Sequence, residues 1–303
     1  MKTDLLTRFL IEDQAIRGEF VILHKTTREL MSEQFYPPAI RSLLGQMACA
    51  SLLLSGTLKI TGSTSIQAKG SGPLTSIMAE STHQRTCRGI ALWQQHEQSD
   101  GLATVGGATE ANRQDINPGL SALLGNDALL VITLTPEQGQ RYQGIVSLAN
   151  DELSACLEDY FARSEQLNTM IRLFDAGDYW GGFLLQQLPV QTRSEETDEN
   201  WREITMISDT LSFAEMLETD STTLLRRLFH QHDVSILQDE PVQFLCTCSE
   251  ERSLHAIKSL GREEVFAIIA EQGAINMDCQ FCNHHYHFDA KKINQLFDDP
   301  TLH

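Results

Sequence analysis

FLCTC (Phe244–Cys248) and DCQFC (Asp278–Cys282) decide how the C-terminal part of this chain folds. Together they give the spacing C-x-C, 30 intervening residues and C-x2-C, and they hold four of the seven cysteines in a chain of 303 residues. Zinc takes four thiolates in a tetrahedron, and two closely spaced pairs can supply them. The spacing therefore predicts one zinc ion per chain, held by Cys246, Cys248, Cys279 and Cys282.

The residues between and after the two pairs predict a small domain built around the metal. SEERSLHAIKSL (249–260) has Leu254, Ile257 and Leu260 on one helical face, and REEVFAIIAEQG (262–273) predicts a second helix with Gly273 at its C-cap. AINMDCQFCNHHYHF (274–288) predicts a strand, a knuckle and a second strand. So small a unit has little hydrophobic core. Structural zinc can contribute on the order of 10 kcal/mol of apparent folding free energy, which would keep the unit folded.

Other interpretations of the cysteine cluster are less well supported. A thioredoxin-like C-x-x-C would precede a helix, whereas Cys282 precedes the strand-like HHYHF. His284, His285 and His287 could replace a thiolate, but four cysteines already satisfy zinc, which favours surface or packing roles for the histidines. A nucleic-acid-binding ribbon fits the spacing, but the net charge of -18 disfavours nucleic acid as a partner.

Residues 1–190 predict an N-terminal domain of mixed strands and helices. Strands that follow one another in sequence indicate an antiparallel sheet, and helices are too few to alternate with them, so the predicted fold class is α+β. The predicted strands are Gly18–His24, Ser63–Lys69, Thr75–Glu80, Cys87–Trp93, Ala128–Thr135, Tyr142–Leu148, Met170–Phe174 and Phe183–Gln187. Helices are predicted at Pro38–Leu54 and Asp151–Gln166, and KGSGP (69–73) is interpreted as a β turn rather than a phosphate loop.

Residues 191–240 predict a helical linker of marginal stability, which leaves 241–303 for the zinc domain. The linker is rich in acidic residues, yet Ile204, Ile207 and Leu211 recur at helical spacing. Ser212 with Glu215 forms a capping-box pattern, and a second helix, STTLLRRLFH (221–230), carries one apolar stripe. Helices this short need a surface to dock against.

Composition and the remaining apolar segments predict a cytoplasmic protein with no membrane span. The N-terminus lacks the uninterrupted apolar core of a signal peptide, and the most apolar run, Ser42–Leu54, is about half of a bilayer span. In a reducing cytosol, clustered cysteines indicate metal or redox chemistry. Cys49, Cys87 and Cys156 lie in apolar contexts and are interpreted as buried packing residues. No catalytic constellation can be singled out, which favours a protein that is not an enzyme.

Zinc-bound thiolates are also sites of oxidation. Peroxide attacks the thiolate form, and each cysteine of the cluster has a second thiol within reach to form a disulfide. Oxidation would release the metal and its folding free energy. The C-terminal domain would then unfold, and the linker helices would lose the surface on which they dock.

The cysteine pattern, LLRRLFH (224–230) and RYQGIVSLANDELSACLEDYFARSEQL (141–167) closely resemble the bacterial heat shock protein 33 family over essentially the whole chain. The resemblance implies an ATP-independent holdase chaperone that is inactive when reduced and zinc-bound. It implies that Cys246 pairs with Cys248, and Cys279 with Cys282, when the protein is oxidised and activated. It further implies dimerisation on activation and binding of unfolding client proteins.

Two alternatives stay open beside the holdase. A thiol-disulfide oxidoreductase would turn over a disulfide substrate catalytically. A zinc-dependent binding module of constant state, such as a zinc ribbon, would function until its metal is removed.

Overall fold

The computed structural model describes residues 4–32, 35–57, 61–94, 118–189 and 195–298. The chain forms two compact units, Met1–Phe244 and Leu245–His303. Three sheets and ten α-helices within the described residues confirm the α+β class. The linker residues belong to the first unit, and the division into 1–190, 191–240 and 241–303 as separately stable parts stays a prediction.

A single buried helix forms the centre of the first unit. This helix, α2 (Pro38–Thr57), is buried on nearly all sides and contacts strands of both large sheets. It is the one helix among the described residues that is long and apolar enough to span a membrane, but most of it lies inside the fold. Gly45 allows close packing, because a Cβ there would lie 2.3 Å from the buried ring of Trp180. The predicted interpretation of the apolar run as a core helix is confirmed.

Two sheets enclose α2. The five-stranded sheet has the order β10-β1-β2-β9-β8, and the six-stranded sheet has the order β11-β5-β4-β3-β6-β7. All pairs are antiparallel except β11 with β5. The strands are β1 (Leu5–Ile11), β2 (Ile16–Leu23), β3 (Gly62–Lys69), β4 (Leu74–Thr82), β5 (Thr86–Trp93), β6 (Leu129–Pro136), β7 (Tyr142–Val146), β8 (Thr169–Ala176), β9 (Tyr179–Gln187), β10 (Val234–Pro241) and β11 (Gln243–Phe244).

The eight predicted N-terminal strands and both predicted helices are confirmed, with ends that differ by a few residues. The second helix begins at Leu153 (α4, Leu153–Tyr160) and continues as one π turn, Phe161–Glu165. KGSGP joins the antiparallel strands β3 and β4, as predicted. Elements of the first unit that were not predicted are strands β1, β10 and β11, the 3-10 turn Glu12–Gln14 and the short helix α1 (Lys25–Met31). A further short helix, α3 (Leu120–Leu124), precedes β6.

The linker forms three helices that dock on the five-stranded sheet. They are α5 (Glu195–Ser208), α6 (Phe213–Glu218) and α7 (Ser221–Leu228). Ile204 and Leu225 are fully buried with Phe9 and Phe183 of the sheet in a second hydrophobic cluster. The capping box of Ser212 and Glu215 is confirmed, and Asp220 caps α7. The expectation that these helices lose their docking surface when the C-terminal unit unfolds is therefore wrong, because that surface is the N-terminal sheet.

A carboxyl group is buried between the sheet and the end of α2. Glu19 on β2 is 3% exposed, and a Cβ on Gly56 would lie 2.0 Å from its Oε2 atom. Burial is the main cause that raises its pKa from 4.5 to about 8; three arginines oppose this rise, and the nearby Glu240 carboxylate adds to it. The negative end of the α2 dipole also disfavours an ionised carboxylate there. The charged groups that face it are Arg8 on β1, Arg17 on β2, Arg85 beside β5 and Glu240 on β10.

The raised pKa of Glu19 predicts that the free energy of unfolding of the first unit falls as pH rises. In the folded chain the carboxyl keeps its proton up to about pH 8, whereas the unfolded carboxyl loses it near 4.5, so its contribution declines between these values. Glu19→Gln is expected to remove this decline and to be more stable than the native chain at pH 8.5 by up to a few kcal/mol, since a pKa difference of one corresponds to about 1.4 kcal/mol.

Urea unfolding between pH 5 and 8.5 measures the effect of this substitution. Tryptophan fluorescence reports the first unit alone, because all three tryptophans precede Phe244. The exposed Glu137 offers a matched control, Glu137→Gln, which is expected to follow the native pH profile. Parallel profiles for the native chain and Glu19→Gln would mean that Glu19 ionises normally.

Over residues 245–298, the second unit has three helices around one hairpin. These are α8 (Glu250–Ser259), α9 (Arg262–Gln272), β12 (Ala274–Asp278), β13 (His285–Asp289) and α10 (Ala290–Asp298). Both predicted helices, the Gly273 C-cap and the strand-knuckle-strand pattern are confirmed. Ile257 faces the core as predicted, but Leu260 lies beyond α8 and is exposed. The core contains only six buried apolar residues among the described ones: Ile257, Val265, Ile275, Phe288, Ile293 and Leu296.

Candidate metal centre

The four cysteines of the two pairs lie on two irregular segments of the C-terminal unit. Cys246 and Cys248 lie between β11 and α8, where Ser249 caps the helix by accepting a hydrogen bond from the Arg252 amide. Cys279 and Cys282 lie in the knuckle between β12 and β13. There the Cys279 amide donates to the His284 carbonyl, and the Asn283 amide donates to the Cys279 carbonyl, which folds the knuckle into a tight turn.

The geometry of the four sulfur atoms suits one tetrahedral ion. All four Sγ atoms lie within 4.8 Å of one another. The Cys246–Cys279 and Cys248–Cys282 sulfurs are each 3.5 Å apart. Four sulfurs at a Zn–S distance of about 2.3 Å are separated by about 3.8 Å, so small adjustments would complete the site. The arrangement could hold a metal ion, and all four thiols are free, as a reduced protein requires.

Without a metal ion the thiols differ in acidity. Burial raises the pKa of the Cys246 and Cys282 thiols. Burial also acts on Cys279, but the backbone amides of Cys282 and Phe281 stabilise its thiolate, and the net effect lowers its pKa. Four thiolates so close together repel one another, and a divalent cation relieves that repulsion. The electrostatics therefore favour a cation at the centre of the cluster.

The other cysteines are apart from this cluster. Cys49 on α2 and Cys87 on β5 are buried in the core between the two large sheets, and burial raises the pKa of both thiols. Cys156 on α4 is buried as well, and its thiol donates to the Asn150 carbonyl. The interpretation of these three residues as packing residues is confirmed.

Aromatic residues beside the knuckle complete the surroundings of the site. The His284 ring packs edge-on against Tyr286, with 4.6 Å between ring centroids, which confirms a packing role for this histidine. The Tyr286 hydroxyl forms a hydrogen bond with Cys248 that raises the pKa of the phenol. This contact was not predicted, because the alternation of Tyr286 and Phe288 indicates a strand but not what its side chains reach.

Comparison with known proteins shows the family to which this chain belongs. The model of the Hsp33 protein family matches residues 4–289, nearly the whole chain. The chain belongs to the Hsp33 family. The resemblance predicted from the cysteine pattern is thereby confirmed.

Relatives named 33 kDa chaperonin are similar to this chain over nearly its full length. The 33 kDa chaperonin of Hahella chejuensis is 51% identical over 303 residues, which is 100% of both chains. The 33 kDa chaperonin of Ectopseudomonas mendocina is 41% identical and covers 97% of this chain and 95% of its own. The crystal structure of the Hsp33 homolog from Thermotoga maritima matches with a TM-score of 0.77 at 20% identity, covering 98% of this chain and 100% of its own, and supports the fold.

Proposed function

We propose that this chain is a redox-regulated, ATP-independent holdase that binds unfolding client proteins. In the reduced state Cys246, Cys248, Cys279 and Cys282 would hold one zinc ion, and the chaperone would be inactive. The observation that carries the proposal is the convergence of these four thiols within 4.8 Å in a chain of a chaperone family. Relatives named as chaperonins support a binding function over an enzymatic one.

Oxidation would convert the four thiolates into two disulfides. Peroxide oxidises one thiolate of a pair to a sulfenic acid, and the second thiol displaces water to form the disulfide. Each pair thereby gives up two electrons to one peroxide, which is reduced to two water molecules. The zinc ion leaves because its thiolate ligands are consumed. The C-terminal unit, with its small core, then loses the free energy that the metal supplies.

We expect the disulfides to form within the pairs, between Cys246 and Cys248 and between Cys279 and Cys282, although the shortest sulfur distances run between the pairs. Once zinc leaves and the unit unfolds, residues one or two positions apart stay close, whereas the two segments separate. Peptide mapping of the oxidised protein checks this pairing. Peptides cross-linked between Cys246 and Cys279 would contradict it.

The linker would carry the change to the client-binding surface. Helices α5 to α7 cover apolar residues of the five-stranded sheet, and their own apolar stripe is buried against it. A groove of about 840 Å³ on these helices has Met206, Ile207, Leu211 and Leu228 in its wall. Strands β10 and β11 connect the linker to Cys246, so loss of order around Cys246 would loosen β10 along the chain. Undocking of the helices would expose both apolar surfaces to clients.

The oxidised form is proposed to be a homodimer in the cytoplasm, and the net charge of -18 would keep a loaded complex in solution. Nucleic acid and membranes are not proposed as partners.

The test follows zinc release and client protection together. A chromophoric chelator reports zinc while peroxide is added to the reduced protein at raised temperature, and light scattering follows a thermally unfolding client in parallel. We expect about one zinc per chain to leave as protection appears, and a thiol reductant to reverse both. If zinc leaves and the client aggregates regardless, the cluster is only structural. Catalytic turnover of a disulfide substrate would instead support an oxidoreductase, and protection that is constant until zinc is removed would support a binding module.

A further inference from the structure

Two histidines on one face of the β12–β13 hairpin are held in the same way. In the hairpin register His285 lies opposite Asp278, and His287 lies opposite Asn276. The Nδ1 atom of His285 is 2.6 Å from Oδ1 of Asp278, and the Nδ1 atom of His287 is 2.7 Å from Oδ1 of Asn276. Residues two apart on a strand project to the same face, and both histidines are exposed. The two imidazoles are therefore neighbours on an accessible surface.

These hydrogen bonds determine which ring nitrogen is available. A carboxylate oxygen and an amide oxygen only accept, so Nδ1 must carry the hydrogen in both rings. In a neutral imidazole the lone pair is then on Nε2. Histidines that bind metals usually donate their other ring N–H to a carboxylate or carbonyl oxygen, which fixes the tautomer and raises the basicity of the ligating nitrogen. Asp278 and Asn276 supply such partners from the opposite strand.

We propose that His285 and His287 form a second metal site, which binds one divalent transition-metal ion such as zinc through the two Nε2 atoms. Their Cα atoms are two strand residues apart, about 6.6 Å. Two imidazoles can close that gap to the metal–nitrogen distance of about 2.0–2.1 Å by rotation of their side chains. Imidazole suits zinc, copper and nickel, and water would occupy the remaining positions. The site shares no ligand with the four cysteines.

The second site would respond to conditions differently from the cysteine cluster. Its imidazoles are not converted to disulfides by peroxide, so a thiol oxidant does not consume its ligands. The two rings are held side by side only while β12 and β13 are paired. Metal bound there therefore favours the folded hairpin, by linkage. At high zinc concentration the C-terminal unit is expected to resist oxidative unfolding longer.

The test is a zinc titration of the full-length reduced protein already loaded at the cysteine cluster. Calorimetry is expected to find a second, weaker equivalent of Zn²⁺ per chain. His285→Gln and His287→Gln are each expected to weaken that second binding by about tenfold or more, comparable to the loss of a supporting metal-site residue. The exposed His255 on α8 gives a matched control, and His255→Gln is expected to bind as the native chain does. In ¹⁵N spectra zinc is expected to shift the Nε2 signals of His285 and His287.

Two results would overturn the proposal: no second equivalent in the native chain, or a second equivalent that persists when both histidines are glutamine. The zinc at the cysteine cluster is counted separately, as zinc released by a thiol-specific reagent. A value near one per chain in the native protein and in all the variants shows that the unit is folded. Failure of the histidine site is then distinct from failure of the four-thiolate site, on which the proposed function rests.

Discussion

Replacement of Cys279 and Cys282 by serine is expected to yield a chain without bound zinc, in which the C-terminal unit is unfolded and the first unit stays folded. Two thiolates remain in such a chain, and two do not complete a tetrahedral site. Structural zinc contributes on the order of 10 kcal/mol of apparent folding free energy. The core of this unit, with Phe288 and Ile293 among its few buried side chains, is too small to offset such a loss.

Hydrogen exchange and zinc analysis of the reduced protein measure this outcome. Amides of α8, α9 and the β12–β13 hairpin are expected to exchange rapidly, while those of α2 stay protected. Cys156→Ser is the matched control, because Cys156 is buried in the hydrophobic core of the first unit and lies outside the four-cysteine group. It is expected to keep one zinc per chain. Protected hairpin amides in a zinc-free double variant would show that the unit folds without metal, and oxidation could then not act through metal release.

The second large effect is expected from Phe229→Ala, which removes a ring that anchors the linker. Phe229 follows α7, is 1% exposed and packs against Phe9 of β1, with 6.0 Å between ring centroids. Loss of a buried phenylalanine typically costs about 3–5 kcal/mol. Because about 1.4 kcal/mol is a tenfold change, the ratio of undocked to docked linker is expected to rise a hundredfold or more. The reduced, zinc-loaded variant is then expected to protect clients without an oxidant.

Limited proteolysis of the linker and light scattering from a client, both on reduced protein, test this expectation. Arg226→Ala is the matched control, because Arg226 lies on α7 just before Phe229 but is exposed and lies outside the groove. It is expected to behave as the native chain does. A Phe229→Ala linker that is readily cleaved while the client still aggregates would mean that linker docking does not control activity. Zinc content near one per chain confirms that the C-terminal unit is unaffected.

The buried stripe of the linker also changes how its role in client binding is tested. Serine at Ile204, Ile207 and Leu211 would separate linker binding from sheet binding if these residues were free. Ile204 and Leu211 are instead buried against the sheet in the docked state, so the serine variant is itself expected to undock. Client binding by the serine variant is therefore compared with that of the native chain when both proteins are oxidised. Unchanged client binding by the oxidised variant would exclude the linker stripe and favour the exposed sheet.

The sequence by itself determined the features that depend on local pattern. The cysteine spacing predicted the four-thiol cluster, because the two ligands of each pair can meet at one ion and two such pairs complete its tetrahedron. The apolar run of Ser42–Leu54 predicted the central helix, and alternation predicted eight strands. The linker helices and their capping box were also predicted, since periodicity and caps are properties of neighbouring residues.

Only the tertiary structure decided which distant segments meet. Strand β10 is half polar and only partly buried, and its pairing with β1 joins residues more than 220 positions apart, so no local pattern predicted it. The docking surface of the linker was likewise not predicted. The apolar stripe around Ile204 indicates that the helix packs against another surface, but it does not indicate which surface. The raised pKa of Glu19 and the paired rings of His285 and His287 likewise arise only when strands align. Burial and cross-strand contacts exist only in the assembled sheet, so the spacing of residues along the sequence cannot predict them.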